Sequence, residues 1–449
     1  MKVQLIGHAS LLISTTDCRF LVDPVFVDPH GEGIEEIFPR REVLLDALPE
    51  FDVIIISHRH FDHFDIATLS RLPKDVPVFI PEDPLMHESL AQLGFLHVQR
   101  LGNFKELTLG QTRLLTTGSD SFVQEFGLVF VDPSGVLWNQ VDSVLNAKTI
   151  QSVLTRYDRV DLMLAMWQPM LEFSYQMNRS LEFPFAAYGD LLSGIAMVSP
   201  RALAPGANGF KYSGDSAWLN RVVFPVAREQ FCKDVVDVCA DLSGHVHALD
   251  PGDGLELDEG RSVRLAETAS FIRRLHDNEP IRSSPVRIDT QFIDSNPDHY
   301  DLDQMTKEII REVEVRLPGF IALQDGAFMA YRTWNVIHQL EVAFPDQTRI
   351  WTFDFSVRPV TAERGASPIA NSFSYITASA LFGIMSGIKG WDYALLGGFY
   401  RMYQKVYKAT SHGLLRPGYV ELKDPLALRF EYEAVLEATV LNQVKRYAG

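Results

Sequence analysis

The sequence predicts an α/β protein in which two β-sheets pack together with helices outside them, followed by an α+β domain. Short β-branched runs of four to eight residues, bounded by Asp, Pro and Gly, recur in the first quarter, as buried strands do. Segments with apolar residues at intervals of three and four lie between these runs, as in amphipathic helices. Because 449 residues exceed one ordinary hydrophobic core, we expect two globular regions.

Predicted strands and helices interleave in the first part of the chain. The strand-like runs are VQLIGHASLLIS, CRFLVDPVFVDPHGEG, DVIIISH, VPVFIPE, TRLLTTG and GLVFVDPSGVLW. The helix-like segments are DIATLSRL, PLMHESLAQLG and NAKTIQSVLTRY. This interleaving predicts a layered fold in which helices cover the sheets.

Two polar breaks predict the boundary between the regions. PGDGLELDEGRS and NEPIRSSPVR place it between residues 250 and 290, since Gly, Pro and polar clusters mark loops. We assign residues 1–265 to the first domain and residues 266–449 to an α+β domain that lines a substrate pocket or forms a homodimer. The second domain contains the predicted helix DLDQMTKEIIREVEVRL.

The charge of the chain argues against a nucleic-acid partner. Lys and Arg number 41 against 58 Asp and Glu, a net charge of −17 that is spread along the chain, whereas binding to a phosphate backbone requires positive charge. No apolar stretch reaches the roughly 18 residues of a membrane span, and the start MKVQLIGHASLLIS has no cleavage-site pattern. We therefore expect a cytoplasmic protein that acts on a small molecule.

A cluster of metal-ligand residues follows one predicted strand. The run DVIIISHRHFDHFD holds three histidines and an Asp within six residues. Side chains alternate along an extended chain, so His58 and His60 can face one metal ion. Asp62 and His63 follow where the loop turns into a helix and can face a second metal ion.

The same cluster carries a resemblance to a known family. HRHFDH resembles the HxHxDH signature of the metallo-β-lactamase-fold superfamily, and GHAS and LVDPVF, at residues 7–10 and 21–26, resemble the branch of the ascorbate-6-phosphate lactonases and the N-acyl-phosphatidylethanolamine phospholipases. The resemblance covers about the first 250 residues. It implies an αββα metallo-β-lactamase sandwich with a dinuclear metal centre. It also implies that His8 turns towards the site, with a structural hydrogen-bonding role as the alternative.

The resemblance nominates further ligands by position. GVLWNQVDS resembles the strand that ends in the metal-bridging Asp, which makes Asp142 the candidate, and DLSGHVHALD resembles the strand end with the last histidine, which makes His245 the candidate and His247 the alternative. The superfamily normally supplies another His where TRLLTTGSDSF has Gly118. Either that coordination position is open, or a carboxylate replaces the histidine, for which the candidates are Asp120 and Glu125.

Two functions remain open from the sequence. The first is a hydrolase in which a metal-bound hydroxide, oriented by Asp62, attacks an ester, lactone or phosphodiester. The alternative is a dinuclear non-haem iron oxygenase, because His58 and His60 with the Asp142 carboxylate form the two-His, one-carboxylate set that such iron sites use. The expected cofactors are two divalent ions, zinc or iron, with manganese also possible. A binding or scaffolding protein is the third class, which the intact HRHFDH run disfavours.

A second, more distant resemblance concerns the later part of the chain. RALAPGANGFKYSG and SALFGIMSGIKGWDYALLGGFYRMYQKVY resemble the catalytic half of the CMP-N-acetylneuraminate hydroxylase-like proteins. The chain has three scattered cysteines and no paired Cys-x-His motif for a Rieske cluster. An oxygenase would therefore need a separate redox partner. Lys211, Arg221 and Arg228 are candidate anchors for an anionic substrate.

Overall fold

The computed structural model describes residues 1–121, 123–276, 281, 292–418, 422–430 and 433–447. The chain forms two compact units. The first comprises Met1–Met170, Glu182–Ser284 and Gln443–Gly449, and the second comprises Leu171–Leu181 and Pro285–Asn442.

The secondary structure can be given in chain order. The strands are β1 (Lys2–Gly7), β2 (Ser10–Ser14), β3 (Arg19–Val22), β4 (Glu35–Ile37), β5 (Arg41–Val43), β6 (Val53–Ile55), β7 (Val78–Pro81), β8 (Val98–Leu101), β9 (Glu106–Leu109), β10 (Thr112–Thr116), β11 (Leu128–Asp132), β12 (Gly135–Asn139), β13 (Leu162–Ala165), β14 (Leu203–Pro205), β15 (Phe210–Tyr212), β16 (Gly254–Asp258), β17 (Arg261–Arg264), β18 (Ile272–Arg274), β19 (Ile337–Ala343), β20 (Thr348–Asp354), β21 (Ala362–Arg364), β22 (Ser372–Thr377), β23 (Tyr400–Gln404), β24 (Lys408–Thr410) and β25 (Gly413–Leu415). The helices are α1 (Ile66–Arg71), α2 (Pro84–Gln92), α3 (Ala147–Tyr157), α4 (Glu172–Gln176), α5 (Phe185–Val198), α6 (Arg228–Val238), α7 (Leu302–Arg311), α8 (Leu317–Leu323), α9 (Met329–Thr333), α10 (Ala378–Met385), α11 (Trp391–Leu396), α12 (Pro425–Phe430) and α13 (Glu433–Tyr447).

The first unit contains the two large sheets that the strand pattern predicts. One has eight strands in the order β17-β16-β1-β2-β3-β6-β7-β8, and the other has six in the order β14-β13-β12-β11-β10-β9. Strands β3, β6, β7 and β8 run parallel, which requires crossover connections, and α1 and α2 supply two of them. The histidine cluster lies in the loop that connects the end of β6 to the start of α1.

A continuous apolar core joins the two sheets. Phe20 and Ile55 of the larger sheet and Phe130 and Leu164 of the smaller sheet belong to one buried cluster. The other face of the smaller sheet, which includes Trp138, packs in a second cluster with residues of α3, α5 and α6. Sheet on sheet with helices outside is the αββα sandwich that we predicted.

The division between the units differs from the predicted boundary after residue 265. Strand β18, at Ile272–Arg274, pairs antiparallel with β5, so the chain is still in the first unit at Arg274. The C-terminal segment also returns to the first unit, where Gln443 Nε2 donates to Glu32 Oε1 at 2.7 Å. These pairings join distant parts of the chain, and the local composition that we used does not encode them.

The second unit is built on a five-stranded sheet in the order β21-β20-β19-β22-β23. Strands β19 and β22 are parallel. In sequence, α8 and α9 precede the sheet, α10 and α11 lie between β22 and β23, and α12 follows β23. One face is apolar and buried, with Trp351, Phe353 and Tyr400 each no more than 1% exposed. Within the described ranges, no helix is long and apolar enough to cross a membrane.

Candidate metal centre

The histidine cluster lies at the end of a buried strand. After β6 the chain passes through Ile56 and Ser57, which are both fully buried, and reaches the loop that begins with His58. The loop ends at Asp65, whose side chain accepts the backbone N–H of Thr68 and caps α1. His58 Nε2 lies 2.9 Å from His60 Nδ1. These two ring nitrogens are thus within hydrogen-bond distance of each other.

A second group of ligand atoms lies beside the first. His8 Nε2 is 3.1 Å from Asp62 Oδ2 and 3.3 Å from His63 Nε2, and the last two atoms are 3.5 Å apart. Tetrahedral coordination at zinc-like bond lengths of 2.0–2.2 Å separates ligand atoms by about 3.3–3.6 Å. The group of His8, Asp62 and His63 thus matches the spacing of ligands around one small cation.

Asp142 connects this group to the His58 side. It follows β12 in a tight turn in which Val141 has φ +55°. Its Oδ2 lies 3.2 Å from His63 Nε2, and His58, His63 and Asp142 place ligand atoms within 4.8 Å of one another. Its Oδ1 is buried and has no hydrogen-bond partner among the described residues. An unsatisfied buried carboxylate oxygen is costly, and a second cation would satisfy it.

Two residues that the sequence analysis did not assign orient the histidines. Asp23 Oδ2 lies 2.9 Å from His63 Nδ1 and 2.7 Å from Ser57 Oγ, and Asp23 Oδ1 accepts the Ser57 N–H. Ser57 Oγ lies 2.9 Å from His58 Nδ1. A carboxylate on the remote ring nitrogen fixes the tautomer of a metal-binding histidine. Asp23 therefore directs the Nε2 lone pair of His63 towards Asp62 and Asp142. The only signal in the sequence is an Asp at the end of a strand, in LVDPVF.

His8 is held by the backbone of a distant loop. It has φ +51° directly after β1, and its Nδ1 accepts the N–H groups of Asn208 and Gly209 at 3.0 and 3.1 Å. A ring that accepts at Nδ1 carries its proton on Nε2 when neutral, which allows His8 to donate to Asp62. A cation at Nε2 must displace that proton. His8 is thus a ligand or a hydrogen-bond donor within the cluster, which is where the resemblance implied it would turn.

Burial and charge set the protonation states of the cluster. Burial, together with the neighbouring His63 and His60, lowers the pKa of His58 well below its ordinary value, which keeps its ring neutral. Burial opposes ionisation of Asp62, but His63 and His8 outweigh it and hold the pKa of Asp62 well below its usual range. For His63, the carboxylates of Asp62, Asp142 and Asp23 outweigh burial and raise the pKa. A cation would take the place of the His63 proton in this acidic surrounding.

Glu125 is buried and interacts with the cluster, whereas Asp120 is exposed. Glu125 is 8% exposed and accepts a hydrogen bond from the Ser119 hydroxyl. Burial raises its pKa and the charge of Asp142 raises it further, while Ser119 and His60 oppose them, so Glu125 is close enough to both cluster residues to interact electrostatically. Asp120 is exposed and accepts from Asn146 at 2.7 Å.

The other predicted site residues have different partners. The side chain of His245 is exposed, and its backbone oxygen accepts the Leu203 N–H. His247 Nε2 lies 3.1 Å from Ser262 Oγ. Neither histidine belongs to a ligand group among the described residues.

The candidate anion anchors also differ in their surroundings. Lys211 pairs with Glu36 at 2.9 Å and Arg228 with Asp250 at 2.9 Å, so carboxylates of the same chain already meet these two charges. Arg221 is exposed at the end of the segment Gly214–Arg221.

Part of the chain is similar to known proteins. The family described as a β-lactamase superfamily domain matches residues 2–145. A protein of Mycolicibacterium smegmatis named as a Rieske 2Fe-2S iron-sulfur protein is 28% identical over 188 residues, which are 38% of this chain and 36% of that protein. The chain therefore spans about a third of the length of this relative.

Solved structures are similar to the chain over somewhat more than half its length. The isothiocyanate hydrolase from Delia radicum gut bacteria has a TM-score of 0.40 and 16% identity, and covers 58% of this chain and 100% of its own. CmlA, a diiron β-hydroxylase from Streptomyces venezuelae, has a TM-score of 0.40 and 18% identity, and covers 59% of this chain and 54% of its own.

Proposed function

We propose that the protein is an enzyme with a dinuclear metal centre, starting from the match of residues 2–145 to the family described as a β-lactamase superfamily domain. The observation that carries the proposal is the position of Asp142. One of its oxygens faces His63 at 3.2 Å, and the other is buried without a partner in the described part of the chain. A carboxylate in this position is suited to bridge two cations.

The donors divide into two sets around Asp142. His8, Asp62 and His63 would hold one cation, and His58 with His60 would hold the other. Glu125 is our candidate for the donor that replaces the histidine missing at position 118, because it is buried and interacts with both His60 and Asp142. Each cation would then have two imidazoles and two carboxylates, with Asp142 shared.

This donor set favours iron-dependent oxidation. When bound, a pair of divalent ions supplies Lewis acidity and, if the ions are iron, the capacity to react with dioxygen. Sites with two histidines and carboxylates and open positions are typical of non-haem iron oxygenases, whereas zinc in this kind of site is usually bound by more histidines. The relative named as a Rieske iron-sulfur protein supports oxidative chemistry, because a Rieske cluster transfers electrons.

The residues of this chain have defined tasks in such a site. His58 stays neutral and offers a lone pair, Asp62 stays ionised, and both states follow from the pKa shifts that their neighbours impose. Asp23 holds the Nδ1 proton of His63 and fixes the direction of its Nε2 atom. The reaction would take place on a small molecule, with an external electron donor.

A hydrolase on the same centre is the second candidate. The family description, a β-lactamase superfamily domain, favours it. In a hydrolase, the ionised Asp62 would orient the attacking water, which two cations make more acidic. The donors are the same, so the identity of the metal and the use of dioxygen distinguish the two functions.

The test combines metal analysis with an oxygen measurement. Protein purified without added metal is analysed for iron, zinc and manganese, then reduced chemically and exposed to dioxygen in an oxygen electrode. Iron at both positions with oxygen uptake above that of Asp142→Ala, as the matched control, supports the oxygenase. Zinc at both positions, with no uptake after the zinc is exchanged for iron, supports the hydrolase and contradicts the oxygenase.

A further inference from the structure

The second unit carries a polar row on one face of its five-stranded sheet. Glu341 of β19 lies opposite Tyr375 of β22, which in turn lies opposite Arg401 of β23. Directly opposite residues point to the same face of a sheet. Their sequence neighbours Leu340, Ile376 and Tyr400 form the buried core on the opposite face. A carboxylate, a phenol and a guanidinium therefore stand side by side across three strands.

Arg401 is buried without an acidic partner. It is 7% exposed, its guanidinium lies 4.7 Å from the centre of the Tyr175 ring, and its Nη2 donates to Asn178. Its Nε is buried with no hydrogen-bond acceptor, and the described residues provide it with no ion pair. An arginine in this state carries an uncompensated desolvation cost. A bound anion that accepts from Nε would relieve that cost.

The other end of the row offers a hydrogen-bond acceptor. Glu341 Oε1 accepts from Gln339 Nε2 at 2.7 Å, and within the described residues its second oxygen has no hydrogen-bond partner. Tyr375 lies between the two charges: burial and Glu341 raise its pKa, and Arg401 opposes them. The rings of Phe292 and Tyr375 are stacked, with their centroids 6.2 Å apart and an interplanar angle of 11°. Glu341 and Arg401 thus flank a half-buried surface that is lined by the aromatic rings of Tyr375 and Phe292.

We propose that this face of the second unit binds a small molecule with a carboxylate at one end and a hydrogen-bond donor at the other. Guanidinium groups bind carboxylates through paired N–H donors, and Glu341 would accept from the opposite end of the ligand. Two strand spacings separate the backbones of Arg401 and Glu341 by about 10 Å. A flat body the size of one aromatic ring spans the distance between their side chains, beside the stacked rings of Tyr375 and Phe292.

The probe is 4-hydroxybenzoate, titrated calorimetrically into the full-length protein. The uncharged 4-hydroxybenzamide tests the need for the carboxylate, and benzoate tests the need for the donor. We expect wild type to bind 4-hydroxybenzoate, and Arg401→Met and Arg401→Lys to bind it at least about tenfold more weakly. The control variant Arg364→Met removes an exposed charge, paired with Glu314, from the same unit and should bind as wild type does.

A second variant keeps the test decisive if Arg401 variants fold poorly. Glu341→Met keeps the length of the side chain, removes both acceptor oxygens and should abolish the preference for 4-hydroxybenzoate over benzoate. The proposal is overturned if wild type binds neither acid. It is also overturned if folded Arg401→Met binds as tightly as wild type, since the anion then lies elsewhere, for example at the metal centre. Retention of the full preference by Glu341→Met would exclude the donor half of the proposed ligand.

Discussion

The Nε2 atom of His63 lies 3.2 Å from Oδ2 of Asp142, although 79 residues separate the two in sequence. The loop after β6 supplies the histidine and the turn after β12 supplies the carboxylate, so the two large sheets of the first unit each contribute to the contact. The packing of the two sheets therefore determines the geometry of the site. Substitutions near this contact should change metal binding more than they change folding.

Removal of the Asp23 carboxylate should weaken metal binding without loss of the fold. In Asp23→Asn, the hydrogen bond that fixes the His63 ring loses its charge, and we expect the dissociation constant of the bound metal to rise about 10–100-fold. Competition with a chromophoric chelator measures this constant. Asp52→Asn is the matched control, because Asp52 also accepts a backbone N–H, that of Arg19, but at the exposed surface. Equal metal affinity in the two variants would rule out the orienting role of Asp23.

The two candidate replacements for the missing histidine can be separated directly. We expect Glu125→Gln to reduce the occupancy of the position formed by His58 and His60, because the variant removes a buried donor near His60. Asp120→Asn should bind two ions, since Asp120 is exposed and already bonded to Asn146. Metal content by mass spectrometry after dialysis gives the answer. Reduced metal content in Asp120→Asn but not in Glu125→Gln would assign the ligand to Asp120. Two ions in both variants would show that neither carboxylate replaces the missing histidine.

His8 and His245 make a second discriminating pair. His8→Ala removes a nitrogen that lies 3.1 Å from Asp62, and we expect it to weaken binding of the cation held by Asp62 and His63 by at least about tenfold. His245→Ala should have no effect, because the His245 side chain is exposed and the hydrogen bonds described for this residue come from its backbone. Loss of metal in His245→Ala with retention in His8→Ala would restore the assignment that the sequence resemblance implied.

A buried histidine outside the site should give the fold a pH dependence. Burial disfavours the charge on His30, but Asp28 and Glu35 outweigh burial and raise its pKa to about 9, from an ordinary value of 6.5. The charged Arg41 and Asp65 also lie in this network. The folded-state pKa is the higher one, so the stabilisation is complete below pH 6.5 and is lost as pH rises to about 9.

Urea unfolding of wild type and His30→Gln at several pH values between 6 and 10 checks this expectation. The free energy of unfolding of wild type should fall relative to that of the variant across this window. A difference between the two proteins that stays constant with pH would show that His30 is not charged in the folded state.

The sequence predicts the layered fold and the first ligand cluster because both depend on local patterns. His58 and His60 lie two residues apart in the loop after strand β6, so their proximity follows from the sequence itself. Asp23 and Asn208 escape sequence analysis because their roles depend on contacts with His63 and His8, residues 40 and 200 positions away. The motif around His245 resembles a ligand strand, yet the backbone pairing of that segment with Leu203 leaves the His245 side chain exposed.

The number of metal ions per chain tests the central claim most directly. We expect wild type, loaded with ferrous iron or zinc and dialysed, to retain two ions per chain, and the double variant His58→Ala, His60→Ala to retain at most one. Asp142→Ala should retain fewer than two, because it removes the shared carboxylate. One ion in wild type, or two ions in the double variant, would contradict a dinuclear centre built around Asp142.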